Sequence, residues 1–139
     1  MHRLLFKSIA GAVVSVMALT GAASPDAPPG APGTVVPDGS LVLWLREAST
    51  DEGPMLAQAM LQCGPDGGTH PRPREACQAL ASVAARFDEL PRIDRVCSMI
   101  YQPVVAEANG VWRGQPVHFG NVYPNSCVAA AATSNVFSL

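Results

Sequence analysis

Apolar positions along the chain follow two periods. Leu41-Val42-Leu43-Trp44-Leu45 is a continuous apolar run, the pattern of a strand buried on both faces or paired beneath a helix. Met55 to Gln62 partly alternates, while Leu56, Met60 and Cys63 also fit a helix; a strand is predicted because the first run needs a sheet partner. Cys63-Gly64-Pro65-Asp66-Gly67-Gly68 then breaks the chain sharply. From Glu75 to Leu90 the period changes. Ala76, Leu80, Val83, Phe87 and Leu90 recur at three- and four-residue steps, which predicts an amphipathic helix ended by Pro91. Val104 to Ala108, Asn109-Gly110 and Val111-Trp112 read as a hairpin, because Asn-Gly suits a type I′ turn. Val117-His118-Phe119 and Asn121-Val122-Tyr123 supply further strand, and Val136-Phe137 is predicted to close the sheet. A helix against a mostly antiparallel sheet is an α+β architecture.

The first residues obey neither period. His2, Arg3 and Lys7 precede the apolar stretch Ile9 to Leu19, and the small residues Gly21-Ala22-Ala23 follow. A basic start, a short apolar stretch and a small-residue exit are the parts of a secretory signal peptide, so residues 1–23 read as a leader cleaved after Ala23 and the protein as secreted. The rival readings are a membrane anchor or a buried helix. The stretch is shorter than the roughly 20 apolar residues of a spanning helix, so no membrane association is expected after cleavage. Residues 24–39 are rich in Pro and Gly and poor in large apolar side chains, the composition of a flexible arm. The folded domain is placed at 40–139.

Composition narrows the functional classes once the leader is set aside. Of 139 residues, 116 remain; loss of Arg3 and Lys7 leaves seven basic residues against eleven acidic, a net charge of −4. That balance offers no electrostatic footprint for nucleic acid. Lys7 is the only lysine, so the mature chain has none. Cys63, Cys77, Cys97 and Cys127 all lie in the folded part, and an even count in a small exported domain reads as two disulfides. Spacing leaves all three pairings open. Zinc is the rival use of these thiols, but Cys-x-x-Cys and His-x-x-x-His are both missing, and His70 in Thr69-His70-Pro71 suits a turn better than a ligand role. No metal or cofactor is expected.

Catalytic signatures are equally absent. Gly-x-Ser-x-Gly, His-Glu-x-x-His, the P-loop and Gly-x-Gly-x-x-Gly do not occur, and a hydrolase would have to use His70 or His118. His118, between Val117 and Phe119, reads as a solvent-facing strand histidine. The chain is therefore not expected to be an enzyme. The unusual segment is Arg95-Val96-Cys97-Ser98-Met99-Ile100-Tyr101-Gln102-Pro103, which strings apolar residues beside a cysteine without good turn residues. One reading is an internal strand. The other is an exposed, extended strip pinned by a disulfide, the form a protease accepts as substrate.

At this segment the sequence resembles the Streptomyces subtilisin inhibitor family of secreted serine-protease inhibitors. The matching pieces are Cys63-Gly64-Pro65, Gly68-Thr69-His70-Pro71, Ala76-Cys77, Cys97-Ser98-Met99-Ile100-Tyr101 with Pro103-Val104, Gly110-Val111-Trp112-Arg113-Gly114, Asn125-Ser126-Cys127 and Val136-Phe137. They run in the family's order across nearly all of residues 41–139. The resemblance implies disulfides Cys63–Cys77 and Cys97–Cys127, and a sheet of about five antiparallel strands packed against one long and one short helix. It implies a homodimer and a subtilisin-like protease as partner. It further implies a reactive peptide Met99–Ile100, with Met99 at P1 (the residue before the scissile bond), Ser98 at P2, Cys97 at P3, Val96 at P4 and Ile100 at P1′. Tyr101 would also touch the enzyme, and Asn125 would brace the loop from behind. The family often has proline at P2, so Ser98 is a departure; Pro124 before Asn125 is another. An alternative use of the same fold is a non-inhibitory secreted binder or a transglutaminase substrate, which without lysine would offer only glutamines.

Overall fold

The computed structural model describes residues 36–49 and 53–139; the leader and most of the proline-rich arm, residues 1–35, lie outside them. Strand β1 (Gly39–Glu47) runs antiparallel between β2 (Met55–Cys63) and β4 (Val104–Trp112). β5 (Gln115–Tyr123) flanks β4, and the two-residue β3 (Gly67–Gly68) flanks β2, giving the order β3-β2-β1-β4-β5. Helices α1 (Pro73–Ser82) and α2 (Ser126–Ala132) complete the fold. It is α+β, with five antiparallel strands, two helices and two disulfides.

One face of the sheet forms the core. Leu41, Leu43 and Leu45 of β1 are buried, as are Leu61 and the small Ala59, Ala106 and Ala108 beside them. Leu80 of α1, Ala129 of α2, Phe87, Val136 and Phe137 pack on that face. Phe87 stacks on Phe119 with ring centroids 4.7 Å apart, and Phe137 lies 5.9 Å from both. β1 reads as uniformly apolar because its other face carries Val42 and Trp44, which are only half-buried. The alternation is in burial, not in residue type.

Three elements depart from the sequence expectation. The helix predicted to Leu90 stops at Ser82, and a 3-10 turn (Phe87–Glu89) follows. Between them Ala84 and Ala85 adopt φ of 50° and 58°. Ala85 N–H bonds the Leu80 carbonyl at 2.8 Å and Ala84 N–H the Ala81 carbonyl at 3.4 Å, a Schellman stop with alanine where glycine usually stands. Val83, Phe87 and Leu90 are nevertheless buried, so the apolar spacing reported burial correctly and helix wrongly.

The hairpin turn is displaced as well. β4 runs unbroken through Asn109-Gly110, and the two-residue turn is Arg113-Gly114, with φ of 47° and 79°, closed by the pair Trp112 and Gln115. Gly110 is needed for another reason: a Cβ there would lie 2.1 Å from the Ser40 carbonyl oxygen of β1. Val136-Phe137 forms no strand; it is a buried turn after α2.

Candidate functional site

Between the 3-10 turn and β4, residues 91–103 have no regular secondary structure, and most of their side chains point away from the body. Val96 and Met99 are exposed at 101% and 98% of their reference area, and Ile100 and Tyr101 at 61% and 76%. The internal-strand reading of this segment is therefore wrong. A run of large apolar side chains held in water costs hydrophobic free energy, which marks it as a surface made to be covered.

Both ends of the segment are fastened to the second half of the chain. Ser134 Oγ donates to the Pro91 carbonyl at 2.5 Å, and Ile93 N–H to the Ala131 carbonyl at 3.0 Å. Cys97 is joined to Cys127 of α2, with Cα atoms 5.7 Å apart. On the far side Gln102 N–H donates to the Pro124 carbonyl at 2.9 Å. A proline carbonyl accepts as well as any other, so Pro124 leaves this tie intact.

Asn125 sits beneath the middle of the segment at 8% exposure. Its Oδ1 accepts from Val128 N–H at 2.9 Å and caps α2. Its Nδ2 donates to the Ser98 carbonyl at 3.3 Å and the Ile100 carbonyl at 2.9 Å. One amide thus holds the carbonyls on either side of Met99 while leaving Met99 free. The helix cap has a sequence signal, since Asn125 precedes the small apolar run of α2. The ties from Ser134, Ala131 and Pro124 have none; two use only backbone atoms of the partner.

The segment Val96 to Gln102 contains no Asp, Glu, His, Lys or Arg. Near it, burial pushes the Tyr123 phenol above its ordinary value, helped by the charge of Asp88 and opposed by a hydrogen bond with Asn121. Neither histidine is placed as a catalytic base. His70, assigned to a turn from its neighbours, is buried: Arg72 N–H donates to Nδ1 at 3.0 Å, so Nε2 carries the proton and donates to the Val136 carbonyl at 2.9 Å. His118 is on the open face of the sheet, 2.7 Å from Asn109 Oδ1. Among the described residues, the one cluster with metal-ligand spacing is Cys63, Asp66 and Cys77. Its two sulfurs form the second disulfide, with Cα atoms 5.5 Å apart, and so are spent. No helix of the described residues is long and apolar enough to cross a membrane.

Comparison with known proteins bears on this arrangement. The subtilisin inhibitor-like family matches residues 39–125. Subtilisin inhibitor-like protein 5 of Streptomyces fradiae is 40% identical over 102 residues, spanning 71% of this chain and 95% of the relative. The subtilisin inhibitor of Streptomyces albogriseolus is 37% identical over 128 residues, 89% of this chain and 88% of the relative. Streptomyces caespitosus sermetstatin, solved in complex with Bacillus licheniformis subtilisin, superposes with a TM-score of 0.59 at 30% identity, over 73% of this chain and 98% of that one.

Proposed function

Since the chain belongs to the subtilisin inhibitor-like family, which consists of protease inhibitors and not enzymes, we propose that it is a secreted inhibitor of subtilisin-like serine proteases with Met99–Ile100 as its reactive bond. The observation that carries the reading is the placement of Met99. Its side chain stands in solvent while Asn125 holds the carbonyls before and after it. Export rests on the leader at 1–23, and the arm expected over 24–39 ends before Gly39, which β1 already pairs with Cys63 and Trp112.

The chemistry follows from the fastenings. Attack of the enzyme's serine on the Met99 carbonyl gives an acyl-enzyme and a new amine at Ile100. In a free peptide that amine diffuses away. Here the Ile100 side is tied through Gln102 and the Met99 side through Cys97, so both halves stay beside the enzyme and religation competes with hydrolysis. The preformed loop also avoids much of the ordering cost of association, which lets an interface of ordinary size bind tightly.

Met99 sets the target. A long, uncharged side chain suits the apolar S1 pockets of subtilisin-like and chymotrypsin-like enzymes, whereas a trypsin-like pocket would be left with an unpaired carboxylate. Val96 at P4 suits an apolar S4 pocket, and Cys97, Ser98 and Tyr101 complete the contacting strip. Titration of subtilisin with the mature protein should reach full inhibition near equimolar amounts, and trypsin should be spared. Met99→Lys should gain trypsin inhibition. No inhibition of subtilisin would favour a non-inhibitory binder of the same fold.

The other partner in this reading is a second copy of the chain. The sheet face opposite the helices carries Val42, Trp44, Met60, Val111 and Val122, all half-buried or exposed and on neighbouring strands. Pairing that face with itself would cover it in a two-fold dimer. Sedimentation should give a dimer for the wild type and a monomer for Met60→Glu.

A further inference from the structure

Beside the C-terminal half of the exposed segment lies a cavity of about 530 Å³, lined in part by Gln102 and Asn125, which fasten the loop. Tyr101 and Pro103 form one wall, Leu56 another, Val104 contributes from β4, and Glu47 and Ser49 stand at the end of β1. Leu56 reaches this position through an irregularity in the sheet. Ala57 pairs with Leu45 and Met55 with Arg46, so Leu56 is the extra residue of a β-bulge, opposite no partner. Bulges re-aim a side chain, and here the side chain is a leucine left 50% exposed.

We infer that this cavity is a second gripping point for the protease, taking an apolar side chain flanked by a cation from the enzyme's rim on the prime side of the scissile bond. The inference rests on Met99–Ile100 being the bond offered to the enzyme. Given that, Tyr101 occupies P2′ and Pro103 P4′, so the cavity continues the contact strip without a gap. Its walls supply apolar surface from Leu56, Tyr101 and Pro103, and among the described lining residues Glu47 supplies a carboxylate. Its volume is that of pockets that hold small molecules, ample for a side chain. The fold has its core on the other side of β2 and does not need Leu56 exposed to complete it.

The test uses the intact mature chain and subtilisin. Complexes formed with wild type, Leu56→Asp, Ser49→Trp and Leu56→Met are chased with excess competitor, and oligomeric state is followed in parallel. Leu56→Asp and Ser49→Trp, which spoil the cavity from different walls, should dissociate about tenfold faster with association little changed, because losing an interface anchor acts mainly on the off-rate. Leu56→Met should stay within about twofold of wild type, since it keeps an apolar side chain of similar volume. Dissociation within about twofold of wild type for both disruptive variants overturns the inference while leaving the loop assignment intact. A change of oligomeric state with unchanged dissociation assigns the cavity to a contact between copies and also overturns it. Failure of the wild type to form a complex overturns the loop assignment and this inference together.

Discussion

Asn125 uses nearly all of its hydrogen-bonding capacity on two tasks, one per end of its amide. Oδ1 caps α2, and Nδ2 holds Ser98 and Ile100. The tasks are separable by substitution. Asn125→Ala removes both and should lower stability by about 1 kcal/mol for the cap alone. Asn125→Asp keeps a capping oxygen but has no donor and faces two carbonyls with a carboxylate. Both variants should be cleaved at Met99–Ile100 about tenfold faster or more, since each lost hydrogen bond is worth about 0.5–1.5 kcal/mol. Mass spectrometry of a time course with subtilisin reads the nick, and thermal unfolding reads the cap. At this scale the sequence was unevenly legible. The exposed strip from Val96 to Tyr101 could be singled out from its residues, but the role of Asn125 came only with the family resemblance. For His70 only the local half was readable: Nδ1 accepts from Arg72 two residues on, whereas the Val136 carbonyl that takes its Nε2 proton lies 66 residues away and carries no mark in the sequence.

Elements were legible where periodicity reports burial and less so where backbone conformation decides. Asn109-Gly110 carries the strongest short-range hairpin signal in the chain, yet the glycine is there to let β1 approach β4. Gly110→Ala should cost about 1–3 kcal/mol, because the two closest clashes are with the Ser40 carbonyl oxygen and Leu41 Cα, backbone atoms that cannot yield as a side-chain tip can. The opposite exchange is favourable at the end of α1. Ala84 holds a left-handed conformation that costs an L-residue about 1–2 kcal/mol, so Ala84→Gly should stabilise by about 0.5–1 kcal/mol after the larger entropy loss of glycine. Urea unfolding of the two variants checks both signs. The early end of α1 could not have been read from the sequence, since no glycine or proline stands between Ser82 and Leu90.

For the molecule as a whole, the two disulfides make a natural comparison. Cys63–Cys77 closes a separation of 14 residues and joins β2 to α1; Cys97–Cys127 closes 30 and joins the exposed segment to α2. On the chain-entropy account they contribute about 3 and 3–4 kcal/mol, nearly the same. Their effect on function should differ. Replacing Cys63 and Cys77 by serine should lower the melting temperature and leave a folded molecule that still inhibits. Replacing Cys97 and Cys127 should lower it comparably and also release the N-terminal half of the cleaved loop, turning an inhibitor into a substrate. Complete hydrolysis by subtilisin in the second case and persistent inhibition in the first is the expected contrast. The α+β class and the count of two bridges were readable from pattern and composition; which cysteine met which was not, because spacing alone permits three pairings.

The solvent-facing side chains of Val96, Met99, Ile100 and Tyr101 have a consequence for how such a molecule changes over generations. Most mutations in a small domain are filtered by their effect on folding before any effect on activity is seen. These four positions touch almost nothing the fold depends on, so they escape that filter. On the proposed reading, substitutions at Met99 would leave the scaffold unaltered and be tried directly against the target protease. Selection on the target and selection on the fold then act on different residues. If Met99 is the residue that meets the enzyme, as proposed, a new specificity would require one substitution and no compensating one.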